Sequence, residues 1–189
     1  VPAHLHELLA AAADGRLGGT DCEALREGLL AQPSNAVSSG AYIVAAIVLW
    51  LRLPRQERWR LGGLYALLLA FIGIGSVIYH GPQVAGARQL HDFPIPVLIA
   101  LAFVALVVRW RRGEVLLPGR SRGRVVAFIL VSVMSPAAYF LGRTGAALCD
   151  PGSIYQPHAI WHLSTATGFA LLGLMLFRAP ADVSPAPPR

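Results

Sequence analysis

Charge is what this chain has little of. Acidic and basic residues make up 14% of its 189 positions, where a soluble domain carries roughly a quarter, and lysine is absent altogether. Cysteine occurs only twice, too rarely for a small disulfide scaffold. The 19 Gly and 14 Pro follow no collagen-like repeat. A hydrophobic share of 55% excludes a disordered chain. What remains is a chain whose solvent is lipid. The formal charge of +6 rests entirely on Arg, and in a membrane protein excess Arg reports orientation, so no nucleic-acid partner is expected. No basic stretch leads into an apolar run near Val1, so no signal peptide is expected.

Five charge-free apolar runs occupy residues 36–51, 61–79, 93–108, 125–141 and 159–177. In hydrocarbon only a helix satisfies its own backbone, so the expected fold is all-α, an integral membrane helical bundle of about five spans. Four spans is the alternative count, because three of the runs are short and need interfacial flanks such as Trp50 and Trp110. Loops on one side of this arrangement hold twelve Arg and those on the other side four. The positive-inside rule then puts the N-terminus outside and the C-terminus in the cytoplasm, which an odd number of spans requires. The expected organisation is an extracytoplasmic segment 1–35 with an amphipathic stretch at 4–13, a transmembrane catalytic domain 36–177, and a disordered cytoplasmic tail 178–189 rich in Pro and Ala. The all-Arg, Ala-rich composition suggests a bacterial inner membrane.

Polar residues gather at one membrane depth. The second span ends with Gly73, Gly75, Ser76 and His80, the third begins after His91 and Asp92, and the fifth begins Pro157-His158-Ala159-Ile160-Trp161-His162. Topology alone therefore brings His80, Asp92, His158 and His162 to the outer end of the bundle. His158 and His162, at i and i+4, share a helix face with a spacing suited to metal chelation, and Pro157 suits the first turn of that helix. Three neutral imidazoles with an open fourth position make a catalytic zinc site, nitrogen ligation without thiolates favouring zinc. Asp92 is a candidate fourth ligand, a partner for a ligating His, or a base. His91 is expected to face away from Asp92, as neighbours on a helix do. Cys22 and Cys149 both fall outside, in an oxidising compartment. They would form a disulfide holding the N-terminal segment against the loop that feeds His158, or remain two buried thiols.

Three stretches resemble the alkaline ceramidases, within a superfamily of membrane hydrolases that includes adiponectin-receptor type proteins. They are Asp21-Cys22-Glu23 with Pro33-Ser34-Asn35 and Ser38; Gly75-Ser76 with His80 and Asp92; and Gln156-Pro157-His158-Ala159-Ile160-Trp161-His162. The resemblance implies a zinc-dependent amidase that splits ceramide or a related N-acyl lipid into a fatty acid and a sphingoid base. It assigns His80, His158 and His162 to zinc, Asp92 to positioning and deprotonating the attacking water, and Ser76 to the oxyanion. It also pairs Cys22 with Cys149. Family members from eukaryotes usually have seven spans, and the interval from His80 to Asp92 is one residue longer here. They also bind calcium near the first cysteine. Asp21 and Glu23 match that site, but Leu25 replaces an amide and Gln32 a carboxylate, so a weak or absent calcium site is expected.

Two other functions fit parts of the pattern. A zinc-stabilised receptor or signalling protein would hold a closed site with Asp92 bound directly. A serine hydrolase would use Ser76 as nucleophile and His158 or His80 as base. Bis-His haem ligation ranks last, since these residues make a poor axial pair.

Overall fold

The computed structural model describes residues 17–112 and 122–177. The stretch 4–13 and the tail 178–189 lie outside these residues, as does most of the Arg-rich loop after the third span. Among the described residues there are seven helices and no strand: α1 (Pro33–Arg52), α2 (Arg55–Arg58), α3 (Leu61–His80), α4 (Ala87–Asp92), α5 (Pro94–Arg111), α6 (Arg122–Leu141) and α7 (Pro157–Leu176). Five stretches are long and apolar enough to cross a membrane: α1, α3, α4 continued by α5, α6 and α7.

Helix starts follow proline. Pro33, Pro94 and Pro157 each stand in a first turn, where the missing N–H is not needed and φ is already helical. Pro33 starts α1 three residues before the charge-free run does. The free N–H groups of that turn find a distant acceptor, since the Glu23 carboxylate accepts from Ser34 N at 2.7 Å and Asn35 N at 2.8 Å. An anion at a helix N-terminus is stabilised by the aligned peptide dipoles as well as by these bonds.

The core lies between α1, α3 and α7, with α5 laid along α3 and α6 leaning on α7. Tyr42, Leu49, Tyr65, Leu69, Leu98 and Ala166 fill it. In lipid, helices associate through close packing and interhelical hydrogen bonds rather than through expulsion of water. Both are present. Gly173 has no room for a side chain, since an added Cβ would stand 2.7 Å from Leu49. Tyr65 Oη donates to the Phe169 carbonyl at 3.0 Å, the hydroxyls of Tyr42 and Thr165 bond across α1 and α7, and Ser135 Oγ donates to Ser164 Oγ at 2.8 Å.

Gly75 makes the tightest backbone-to-backbone contact near the His-rich end. A Cβ there would lie 2.2 Å from the Leu90 carbonyl oxygen and 2.9 Å from His91 N, so backbone packs directly on backbone. Gly75→Ala is expected to push α4 off α3 at a cost of about 1–3 kcal/mol, read as a lower thermal midpoint in detergent. An unchanged midpoint would mean that α4 is free to shift.

Candidate metal centre

α3 ends, and α7 begins, at the same end of the bundle, which brings the imidazoles of His80, His158 and His162 together. Their ring centroids are 4.7–5.3 Å apart. One ring nitrogen from each lies within 4.8 Å of the others, close enough to hold a single metal ion. All three side chains are buried, His80 and His162 completely.

Two of the three imidazoles are held from behind by hydrogen bonds to Nδ1. The Gln32 amide is oriented by its own nitrogen, which donates to the carbonyls of Gly18 (3.0 Å) and Glu23 (2.9 Å). Its oxygen therefore faces His80 Nδ1, at 2.7 Å, and accepts from it. Ser38 Oγ donates to the Asn35 carbonyl and so accepts from His162 Nδ1 at 2.9 Å. The network thus puts the proton of both rings on Nδ1 and leaves the Nε2 lone pairs for an ion. His80 Nε2 is buried with no partner, which is costly unless something binds there. The third Nδ1, of His158, lies 3.5 Å from Asp21 Oδ1, within ion-pair reach but outside hydrogen-bond geometry. An orphaned lone pair and an all-nitrogen donor set fit zinc.

Ser76 belongs to this group. Its Oγ is buried, 2.8 Å from Ser39 Oγ and 3.5 Å from His162 Nε2. Because Ser39 donates to the Asn35 carbonyl at 2.6 Å, Ser76 is the donor in the serine pair.

Asp92 is not brought to the trio. Its side chain is 62% exposed and its Oδ1 lies 2.6 Å from His91 Nδ1. The two neighbours meet, contrary to the expectation that they face apart, because Asp92 is the final residue of the six-residue α4 and its side chain can swing back. His91 is closer to the site than the sequence suggested, stacked on Tyr79 at 4.5 Å and 5.9 Å from the His80 ring. Asp92 therefore reaches the centre only through His91.

The two residues matched to a calcium site do other work. Glu23 caps α1 with both carboxylate oxygens. Asp21 pairs with Arg143 Nη1 at 2.8 Å and turns toward His158. Burial pushes its carboxyl up to about 7, against the pull of the Arg143 guanidinium, with Glu23 adding to the rise. Among the described residues no calcium-type carboxylate cluster accompanies the His trio. Cys22 and Cys149 are joined in a disulfide, which removes the alternative of two free thiols. Gln32 stands out in the sequence only as the residue before Pro33 and as a departure from the calcium-site pattern, with nothing that points to His80, and Arg143 carries no signal at all.

The chain matches no protein-family model, and no curated protein or solved structure is significantly similar to it. The likeness to alkaline ceramidases therefore rests on the motifs alone.

Proposed function

We propose that this protein is a zinc-dependent membrane amidohydrolase that cleaves the amide of ceramide or a related N-acyl lipid, releasing a fatty acid and a sphingoid base. The observation that carries the reading is three buried imidazoles close enough to share one ion, with His80 Nε2 unpartnered and, among the described residues, no carboxylate or thiolate completing the group, at one end of a bundle of apolar helices. A closed receptor-type site would need Asp92 at the ion, and Asp92 points outward.

His80, His158 and His162 would hold a zinc ion, which when bound would supply Lewis acidity toward an amide carbonyl and an attacking water. The chain's own residues orient the reactants. Ser76 stands beside the Nε2 side of His162, where its hydroxyl, rotated off Ser39, donates to the oxyanion. His91, held by Asp92, stands 5.9 Å from the His80 ring. A lipid substrate is supported by an apolar groove of about 1110 Å³ between α1 and α7, lined by Val37, Val44, Val48, Leu163 and Leu171. At its polar end is Ser38, the residue that holds His162. The groove suits an acyl chain drawn from the bilayer.

The excess of Arg at the opposite end of the bundle supports an extracytoplasmic metal centre, where a disulfide persists, and the all-Arg, Ala-rich composition supports a bacterial inner membrane. The test is hydrolysis of N-acyl lipids by purified protein before and after metal removal by a chelator. Activity should vanish with the metal and return with added zinc. Hydrolysis that survives complete stripping would overturn the reading and turn attention to Ser76 as nucleophile.

A further inference from the structure

We propose that Asp21 is a positioning residue for the metal centre, holding His158 from its Nδ1 side so that Nε2 is presented to the ion. This rests on the metal-dependent reading above and deepens it.

The geometry carries the assignment. Asp21 is 5% exposed, and its Oδ1 lies between Arg143 Nη1 at 2.8 Å and His158 Nδ1 at 3.5 Å. Pairing with Arg143 does not by itself account for the burial. Arg143 is one-third exposed, and the same pair could form at the surface without the cost of taking a carboxylate out of water. What the burial adds is contact with His158. A carboxylate behind a ligating imidazole fixes the ring's tautomer and orientation and makes its other nitrogen a better donor to a cation. A dication among three neutral imidazoles would add positive charge on the side of the carboxylate that Arg143 does not face. Asp21 stands on the Nδ1 side of the third ring, as Gln32 and Ser38 do by hydrogen bonds at the other two.

The backbone holds Asp21 in place on both sides. Residue 21 forms a β-bridge with Arg143, Cys22 N donates to the Gly142 carbonyl at 2.8 Å, and Thr144 Oγ1 donates to the Asp21 carbonyl at 3.0 Å. The Cys22–Cys149 disulfide closes the same corner. Gly142 in turn lies so close to the start of α7 that a Cβ there would stand 2.6 Å from His158 N. The segment carrying Asp21 and the helix turn carrying His158 are thus one packed unit.

The test is zinc affinity of the full-length, detergent-solubilised protein by competition with a chromogenic chelator, with the absorption spectrum of bound cobalt as a second readout. Asp21→Ala should weaken zinc binding roughly 10- to 100-fold and alter the cobalt spectrum. Asp21→Asn, which keeps an acceptor oxygen without the charge, should recover part of the affinity and guards against misfolding of the Ala variant. Asp21→Ala also loses the Arg143 pair and should lower the metal-free thermal midpoint. Asp21→Asn, which keeps an acceptor for Arg143, should hold that midpoint nearer the parent's while still weakening zinc binding, whereas a purely structural role would lower the midpoint and leave affinity alone. Zinc affinity within about twofold of the parent in Asp21→Ala would overturn the proposal while leaving the metal centre standing. A parent protein that binds no zinc would overturn both.

Discussion

Replacing His162 with Ala is expected to abolish stoichiometric zinc binding and lipid-amide hydrolysis together. His162 is fully buried and sits at the hub of the site, with Nδ1 on Ser38, Nε2 toward Ser76 and its ring 5.1 Å from His80. Structural zinc sites with four ligands bind with about 10–16 kcal/mol, so the loss of one ligand amounts to about 3 kcal/mol, or roughly a 100-fold weaker site. With only two imidazoles left, purification in detergent should strip the ion. Elemental analysis of the parent and the variant checks this. Retained stoichiometric zinc in His162→Ala would remove the residue from the ligand set. Asp92→Asn makes the contrast, because an exposed carboxylate that touches only His91 should leave zinc content unchanged.

Removing the disulfide should produce the second large effect, on stability and metal retention at once. The bond links residues 127 apart in sequence, and closing so long a loop stabilises a folded chain by a few kcal/mol through the entropy of the unfolded one. Spans that stay inserted already restrict that ensemble, so a loss of about 2–4 kcal/mol is expected, or roughly 4–16 °C in melting temperature. The variant Cys22→Ser/Cys149→Ser should also hold zinc less tightly, because residues 21–32 carry Asp21 and Gln32, which face two of the three imidazoles. Thermal unfolding of the parent with and without reductant, followed by zinc analysis, separates the two effects. An unchanged midpoint together with unchanged zinc would show that the backbone pairing of residues 20–22 with 142–144 suffices alone.

Much of this architecture is legible in the amino-acid order because lipid permits so few solutions. A charge-free run of sufficient length must be a helix, and the order of the runs dictates which ends meet. His80, at the end of one run, and His158 and His162, at the start of another, converge for that reason. The i, i+4 spacing does the rest by setting two imidazoles on one helix face. Proline marks the starts at Pro33, Pro94 and Pro157 because the reason is local.

The side-chain surroundings of Asp21, Gln32 and Asp92 are not legible in the sequence. Two of them lie in a segment with no helical period, folded over the bundle end and fixed by backbone bonds and a disulfide to residues more than a hundred positions away. No spacing rule encodes such contacts. Asp92 closes a six-residue helix just before a proline, where topology sets its depth but not the direction of its side chain.

The sequence by itself determined five helices long and apolar enough to cross a membrane and the three imidazoles at one end, since each follows from composition, length or periodicity along the chain. Only the tertiary structure decided which carboxylate stands behind a histidine, which one caps a helix and which one faces out, because those choices depend on the packing of segments distant in sequence.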